Sequence, residues 1–191
     1  SLSLSALDGS NGFRLDGEDW GDDSGQSVSS AGDVNGDGFD DMIIAAYGTE
    51  PGKSWPGESY VVFGKPIGWV ADMDLSLLNG STGYRLNGVN AGVAEIGISV
   101  SNAGDVNGDG FDDVIIGARY ADSDVKSNAG ESYLVFGKSS GFSADIDLSS
   151  LNGSNGFRLD GVDADDYSGR SVSSAGDVNG DGFDDIIIGA F

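Results

Sequence analysis

The chain has 191 residues, 33 of them glycine, with no cysteine, no histidine and a formal net charge of −23 from 32 acidic against 9 basic side chains. Without cysteine there is no disulfide framework. Without histidine as well, the usual zinc and copper ligands and the usual nucleophile–base pairs of catalysis are missing. So negative a field repels nucleic acid and anionic membrane surfaces and attracts cations, so no nucleic acid and no membrane insertion are expected.

Residues 1–25 show no charged-then-apolar leader, and the expectation is a signal peptide absent or already removed. They hold one strand pattern, NGFRLDG at 11–17, followed by an acidic run over 18–23 that reads as solvated loop. A small, weakly apolar strand is expected over 26–32. The continuous run MIIAAY then makes a second strand over 41–47. Runs of that length bounded by glycine and aspartate fit strands buried on both faces. A third strand is expected over 59–63 and a fourth over 83–87. Between them DMDLSLL (72–78) alternates, as either a short strand or a single turn. No stretch of ten or more residues carries the apolar spacing of a helix.

The same order then repeats. SVSSAGDVNGDGFDD at 27–41 returns unchanged at 171–185, with SVSNAGDVNGDGFDD at 99–113 between them. The first loop aspartates Asp33, Asp105 and Asp177 are spaced by 72 residues each time. GESYVVFGK (57–65) returns as GESYLVFGK (130–138), and NGFRLDG as TGYRLNG (82–88) and again at 155–161. A fixed period of this size signals a repeat architecture. Four antiparallel strands per repeat, apolar on both faces, describe a β-propeller blade packed against a neighbour on each side. The expected fold is therefore all-β. Residues 1–25 supply strand four of a preceding blade, 26–96 and 97–169 are two blades, and 170–191 is a partial third. Propellers close with 4 to 8 blades, so an incomplete propeller, or a segment of a longer one, is expected.

The loop between the first and second strands carries the chemistry. In DVNGDGFDD, Asp33, Asn35 and Asp37 present oxygens at positions 1, 3 and 5. Phe39 offers its backbone carbonyl at position 7, and Asp41 closes the loop at position 9. Gly38 at position 6 allows a sharp turn. The second copy places Asp105, Asn107, Asp109, Phe111 and Asp113 at these positions. The third places Asp177, Asn179, Asp181, Phe183 and Asp185 there. An all-oxygen set at this spacing suits Ca²⁺, with its six to eight oxygen ligands, better than Mg²⁺ with its strict octahedron. Four carboxylates in nine residues, three times over, carry a repulsion that a metal-free Asx turn has no reason to bear. EF-hand loops begin alike but need an acidic ligand at position 12, which here is Ile44, Ile116 or Ile188. Three Ca²⁺ sites are expected.

On these residues the sequence resembles the FG-GAP repeat, the blade unit of integrin α-subunit propellers and of many bacterial surface proteins. Phe63-Gly64 and Phe136-Gly137 end the third strands, and Gly117-Ala118 and Gly189-Ala190 end the second. The proline is replaced by Arg119 and Phe191, and the first copy reads Ala45-Ala46-Tyr47. The resemblance implies a propeller with calcium in the strand one–two loops and a role in extracellular adhesion or ligand recognition. It implies a secreted or cell-surface location and an extracellular protein or glycan partner.

Two other readings stand beside that one: a self-assembling sheath, fibre or matrix protein, and an accessory propeller attached to an enzyme domain. No enzymatic activity is expected of the chain itself, because each prominent acid belongs to a repeated loop, whereas an active site is normally unique. Arg14, Arg85 and Arg158 recur in strand four and read as salt-bridge partners of loop carboxylates. Tyr60 and Tyr133 read as core, and Asn79 and Asn152 as Asn-Gly turns rather than glycosylation sites. The unpaired edges of the partial blade are expected to invite self-association. Up-and-down strand order puts the two–three and four–one loops at the end opposite the Asp-rich loops. Trp20, Trp55 and Tyr167, which lie in those loops, are the candidate anchors for a ligand.

Overall fold

A computed structural model describes residues 3–18, 20–48, 57–89, 95–122 and 126–191. In chain order, β1 (Arg14–Asp16) is followed by β2 (Ser27–Gly32), β3 (Asp41–Ala46), β4 (Glu58–Val62), β5 (Asp72–Asp74) and β6 (Gly83–Asn87). The next period gives β7 (Ser99–Gly104), β8 (Asp113–Ala118), β9 (Glu131–Val135), β10 (Asp145–Asp147) and β11 (Gly156–Asp160). Then β12 (Ser171–Gly176) and β13 (Asp185–Gly189) begin a third. Strands β2, β3, β4 and β6 form one antiparallel meander, and β7, β8, β9 and β11 the next. Antiparallel β12 and β13 are the inner pair of a third blade. The fold is an all-β propeller segment, with no α-helix among the described residues.

Alternation explains why the second strand is apolar without interruption. Successive side chains of a strand point to opposite faces. Ile43 and Ala45 of β3 enter one core, with Val100, Val114 and Ile116 of the next blade. Ile44 and Ala46 enter another, toward Leu15 of β1. In the second blade Val114 and Ile116 look back while Ile115 looks forward to Val172 and Ile186. The hydrophobic core thus lies between blades, and each sheet exists by being sandwiched. The small first strands stand side by side: Val100 N–H donates to Ser27 Oγ at 3.1 Å, and Val172 N–H to Ser99 Oγ at 3.1 Å. Serine at these places keeps the inner strands close.

The segment 72–78 resolves into both of the forms its alternation allowed. Residues 72–74 form β5, and Leu75–Leu77 form a 3-10 turn whose preceding Asp74 accepts from Ser76 N–H at 2.9 Å. β5 does not join its own sheet. It pairs in parallel with β1, as β10 pairs in parallel with β6, so each blade lends a three-residue strand to the outer edge of the blade before it. Arg85 sits at this seam, 2.6 Å from Asp145 of β10 and 2.6 Å from Glu18. Glu18 is therefore not a merely solvated loop acid, as its acidic run suggested. It also lies 3.4 Å from the Tyr60 hydroxyl, and Tyr60 and Tyr133 are buried. Asn79 Oδ1 accepts from Ser81 N–H at 3.0 Å, an Asx turn.

Candidate metal centre

Each Asp-rich loop grows out of a β-bulge. The register of β2 against β3 shifts between Ser30 and Gly32, and the same shift occurs at Asn102/Gly104 and Ser174/Gly176. A bulge bends the strand and re-aims the residues after it. Gly32, Gly104 and Gly176, at φ 71°, 76° and 67°, take the left-handed backbone that it requires. The side chain two residues earlier accepts each glycine's N–H: Ser30 at 3.2 Å, Asn102 at 2.6 Å, Ser174 at 3.1 Å.

Inside the loop the oxygens expected to bind metal gather the backbone amides. Asp33 Oδ1 accepts from Asp37 N–H at 3.0 Å and Oδ2 from Gly38 N–H at 2.9 Å. Asn35 Oδ1 accepts from Asp37 N–H at 2.8 Å, and Asp37 Oδ1 from Phe39 N–H at 3.0 Å. Asp105, Asn107 and Asp109 repeat these bonds toward Asp109, Gly110 and Phe111. Asp177, Asn179 and Asp181 do so toward Asp181, Gly182 and Phe183. Gly38, at φ 90°, makes the turn anticipated at position 6.

The position-nine aspartate is set apart. Asp41 is 1% exposed, and its two oxygens accept from Val34 N–H at 3.0 Å and Gly64 N–H at 2.7 Å. Asp113 is 0% exposed and accepts from Val106 and Gly137 at 3.0 and 2.9 Å. The glycine of each Phe-Gly pair thus ties the end of strand three to the loop. Burial pushes both carboxyls up to about 7, and the charges of Asp37 and Asp33, or Asp109 and Asp105, add to the shift. The amide bonds pull the other way. Among the described residues Asp185 accepts one such bond, from Val178 N–H at 2.9 Å.

Among the described residues no three acidic side chains converge as a metal-holding group, and no ion pair reaches the expected ligands. The donor set itself is carboxylate, amide and carbonyl oxygen. It places buried Asp41 and Asp113 in the field of two further carboxylates without a cationic side chain to offset them. Such a set fits a hard divalent cation and suits neither zinc nor copper.

Two partners in these loops were missed by reading ligand positions alone. The position-eight aspartates reach back to the preceding blade. Asp33 N–H donates to Asp112 Oδ2 at 2.8 Å, and Asp105 N–H to Asp184 Oδ2 at 2.9 Å. The phenylalanines at position seven, considered for their carbonyls, also pack on the preceding loop. A Cβ on Gly36 would meet the Phe111 ring at 2.4 Å, and one on Gly108 the Phe183 ring at 2.3 Å. The available signal was an acid, present in all three copies, at a position that the metal pattern does not use.

The opposite end of the blades looks different. Asp23, Glu95 and Tyr167 hold one position in three successive four–one turns, all left-handed at φ 52°, 49° and 52°. Each carbonyl accepts from the N–H three residues on, at 3.3, 3.1 and 3.2 Å. The backbone repeats while the displayed side chain changes. Tyr167 packs edge-on against Tyr120 with centroids 5.5 Å apart and lies 5.4 Å from Phe191; Arg119 and Arg170 sit over Tyr120 and Phe191. Trp20 is exposed, and Trp55 lies outside the described residues.

With the bladed sheets and looped acids in view, the class is defined: residues 24–62, 97–135 and 168–190 match the FG-GAP repeat, and the chain belongs to that family. It is 28% identical to integrin alpha-4 of Xenopus laevis over 94% of its own length and 15% of the relative's. It is 30% identical to integrin alpha-PS5 of Drosophila melanogaster over 91% of the chain and 15% of the relative. It is also 30% identical to phosphatidylinositol-glycan-specific phospholipase D of Bos taurus, over 87% and 18%. The chain thus spans less than a fifth of each of these relatives.

Proposed function

We propose that this chain is a calcium-binding propeller module for extracellular adhesion or ligand recognition, secreted or displayed at a cell surface. The observation that carries the reading is the loop built three times to one plan, with its position-nine carboxylate buried among acids in the first two. Asp33, Asn35, Asp37, the Phe39 carbonyl and Asp41 would hold one ion. Asp105, Asn107, Asp109, Phe111 and Asp113 would hold a second, and Asp177, Asn179, Asp181, Phe183 and Asp185 a third. The ion's part is structural: it offsets clustered negative charge, and three ions of +2 would bring the net charge from −23 to −17. Likeness to integrin α chains supports the adhesion role. Among the described residues no helix is long and apolar enough to cross a membrane.

A ligand would dock at the four–one and two–three end, where a constant backbone displays variable side chains. A protein or glycan partner suits the exposed Trp20 and the Tyr120–Tyr167 pair. A second reading, an accessory propeller of an enzyme, draws support from the likeness to the phospholipase D.

The metal reading is tested by melting in EGTA and with millimolar Ca²⁺, alongside metal analysis by mass spectrometry. A binding partner of the folded state alone stabilises it by mass action, so EGTA should lower Tm markedly and calcium restore it. Unchanged melting with no calcium detected sinks the assignment. For the ligand face, Trp20→Ala with Tyr167→Asn, which tolerates the left-handed backbone, should abolish binding to matrix or cell surface at unchanged Tm. Loss of binding from Asp37→Ala with stability intact would move the binding site to the metal end.

A further inference from the structure

The Asp-rich loops are joined to one another in chain order. Asp33, the first expected ligand of loop one, has its backbone held at both ends by Asp112. Its N–H donates to Asp112 Oδ2 at 2.8 Å, and its carbonyl accepts from Asp112 N–H at 3.3 Å. Asp184 holds Asp105 of loop two in the same way, at 2.9 and 3.2 Å. Asp112 and Asp184 are half-buried and belong to none of the expected ligand sets. Each nevertheless stands between two expected ligands of its own loop, Phe111 and Asp113 or Phe183 and Asp185. The ring of the same phenylalanine closes on position four of the loop before, where a Cβ on Gly36 or Gly108 would strike it.

A second path runs between the first two loops. Asp113 Oδ1 accepts from Gly137 N–H at 2.9 Å, and the next residue, Lys138, donates its N–H to the Val34 carbonyl at 2.9 Å. Val34 N–H in turn donates to Asp41 Oδ2 at 3.0 Å. Asp113 and Asp41 are the position-nine residues of loops two and one. An unbroken run of peptide units and hydrogen bonds therefore links the two buried carboxylates.

Taking the loops as calcium sites, on which this rests, we propose that neighbouring sites fill cooperatively, each occupied loop ordering the next through the Asp33–Asp112 and Asp105–Asp184 bridges. Without an ion the loop carboxylates repel one another, and each loop loses conformational freedom when it closes on one. An ion in loop two fixes the Phe111 carbonyl and Asp113, and with them Asp112 between the two. Asp33 is then already placed by its backbone when an ion reaches loop one. The second ion meets a smaller ordering cost, which is positive coupling without any change of fold. Coupling of binding is reciprocal, so filling loop one favours loop two equally. Charge works the other way, since each bound ion weakens the negative field that draws the next. That effect is damped over a screening length of about 8 Å at physiological ionic strength, whereas the bridges are direct contacts. A net tightening of about fivefold per joint is expected.

Native mass spectrometry at half-saturating calcium tests this, because it resolves chains carrying no ion, one, two or three. The wild type should be depleted in the one-ion and two-ion species relative to a binomial distribution. Unequal but independent sites can only enrich those intermediates, so depletion reports coupling. Asp112→Ala combined with Asp184→Ala removes both bridges and no expected ligand, so three ions should still bind, now without the depletion. Asp112→Asn with Asp184→Asn keeps an acceptor oxygen at each bridge and should keep it. Each variant is checked for folding by circular dichroism. Should the double alanine variant not fold, Asp184→Ala alone should uncouple the third ion from the other two. A wild type without the depletion overturns the proposal. So does an alanine variant as depleted as the wild type, or an asparagine variant that behaves as the alanine one does. Three ions bound independently by the wild type would leave the calcium reading standing, whereas no bound calcium would overturn both.

Discussion

Asp113 and Asp185 open the second strand of consecutive repeats, each preceded by the same eight loop residues, yet their surroundings differ. Asp113 is fully buried and accepts two amides, whereas Asp185 is half-buried and accepts one. The missing amide is that of the glycine after strand three, which Asp113 finds at Gly137. Ile115 and Ile187 differ likewise, at 0% and 59% exposure, because among the described residues only the former packs against a following blade. In this protein a residue's environment is thus a property of the neighbouring strand and blade rather than of its own repeat.

The largest test of that comparison removes the carboxylates. Asp113→Ala strands two buried amides, each costing about 1–3 kcal/mol, so urea unfolding should show a loss of about 3 kcal/mol. Asp185→Ala, losing one exposed bond, should cost under about 1 kcal/mol. Equal losses would break the contrast between the two sites.

Glycine at the bulge sharpens it further. Gly104→Ala and Gly176→Ala both force alanine into a left-handed backbone, at about 1–2 kcal/mol. Only at Gly104 would the methyl also strike Asp184 Oδ2, 2.2 Å away. Overpacking adds about 1–3 kcal/mol, so Gly104→Ala should melt distinctly lower, and matched melting points would count against the Asp184 contact.

A smaller effect is expected from pH in calcium-free buffer. Asp41 and Asp113 titrate from about 7 in the folded protein against 3.8 unfolded, because burial opposes their charge. The folded state therefore binds more protons between these values. The stability this contributes is fully present below 3.8 and lost as pH rises through about 7. Tm should fall from pH 5 to pH 8 in chelator, and Asp113→Asn should flatten that slope. Stability that rises over the interval contradicts the burial argument.

The smallest effect is expected from Arg85→Ala compared with Arg158→Ala. Arg85 holds Glu18 and Asp145 across a seam, while Arg158 pairs with Glu131 and Asp160 of its own sheet. The pairs with Asp145 and Asp160 are partly exposed and each contributes about 0–1 kcal/mol by double-mutant cycle, whereas Glu131 is 1% exposed and loses its cation in Arg158→Ala, which should therefore cost more than Arg85→Ala.

Repetition and alternation made most of the fold legible in advance. A 72-residue period with four strand patterns defines the blade. An apolar run at 41–47 requires two buried faces, since alternate side chains cannot reach one core. The spacing of oxygens in DVNGDGFDD likewise named the candidate ligands, because a loop's donors are set by local order. What the linear pattern could not decide is which contacts cross between repeats. Identical copies make within-blade and between-blade pairing indistinguishable along the chain. Only the packed blades turned Asp112 and Asp184 from surplus loop acids into fasteners for the loop before. Only they sent β5 and β10 to a neighbour's edge, and separated Asp113 from Asp185. Side-chain chemistry is local, but burial and cross-blade hydrogen bonding belong to whichever surface arrives from elsewhere in the chain.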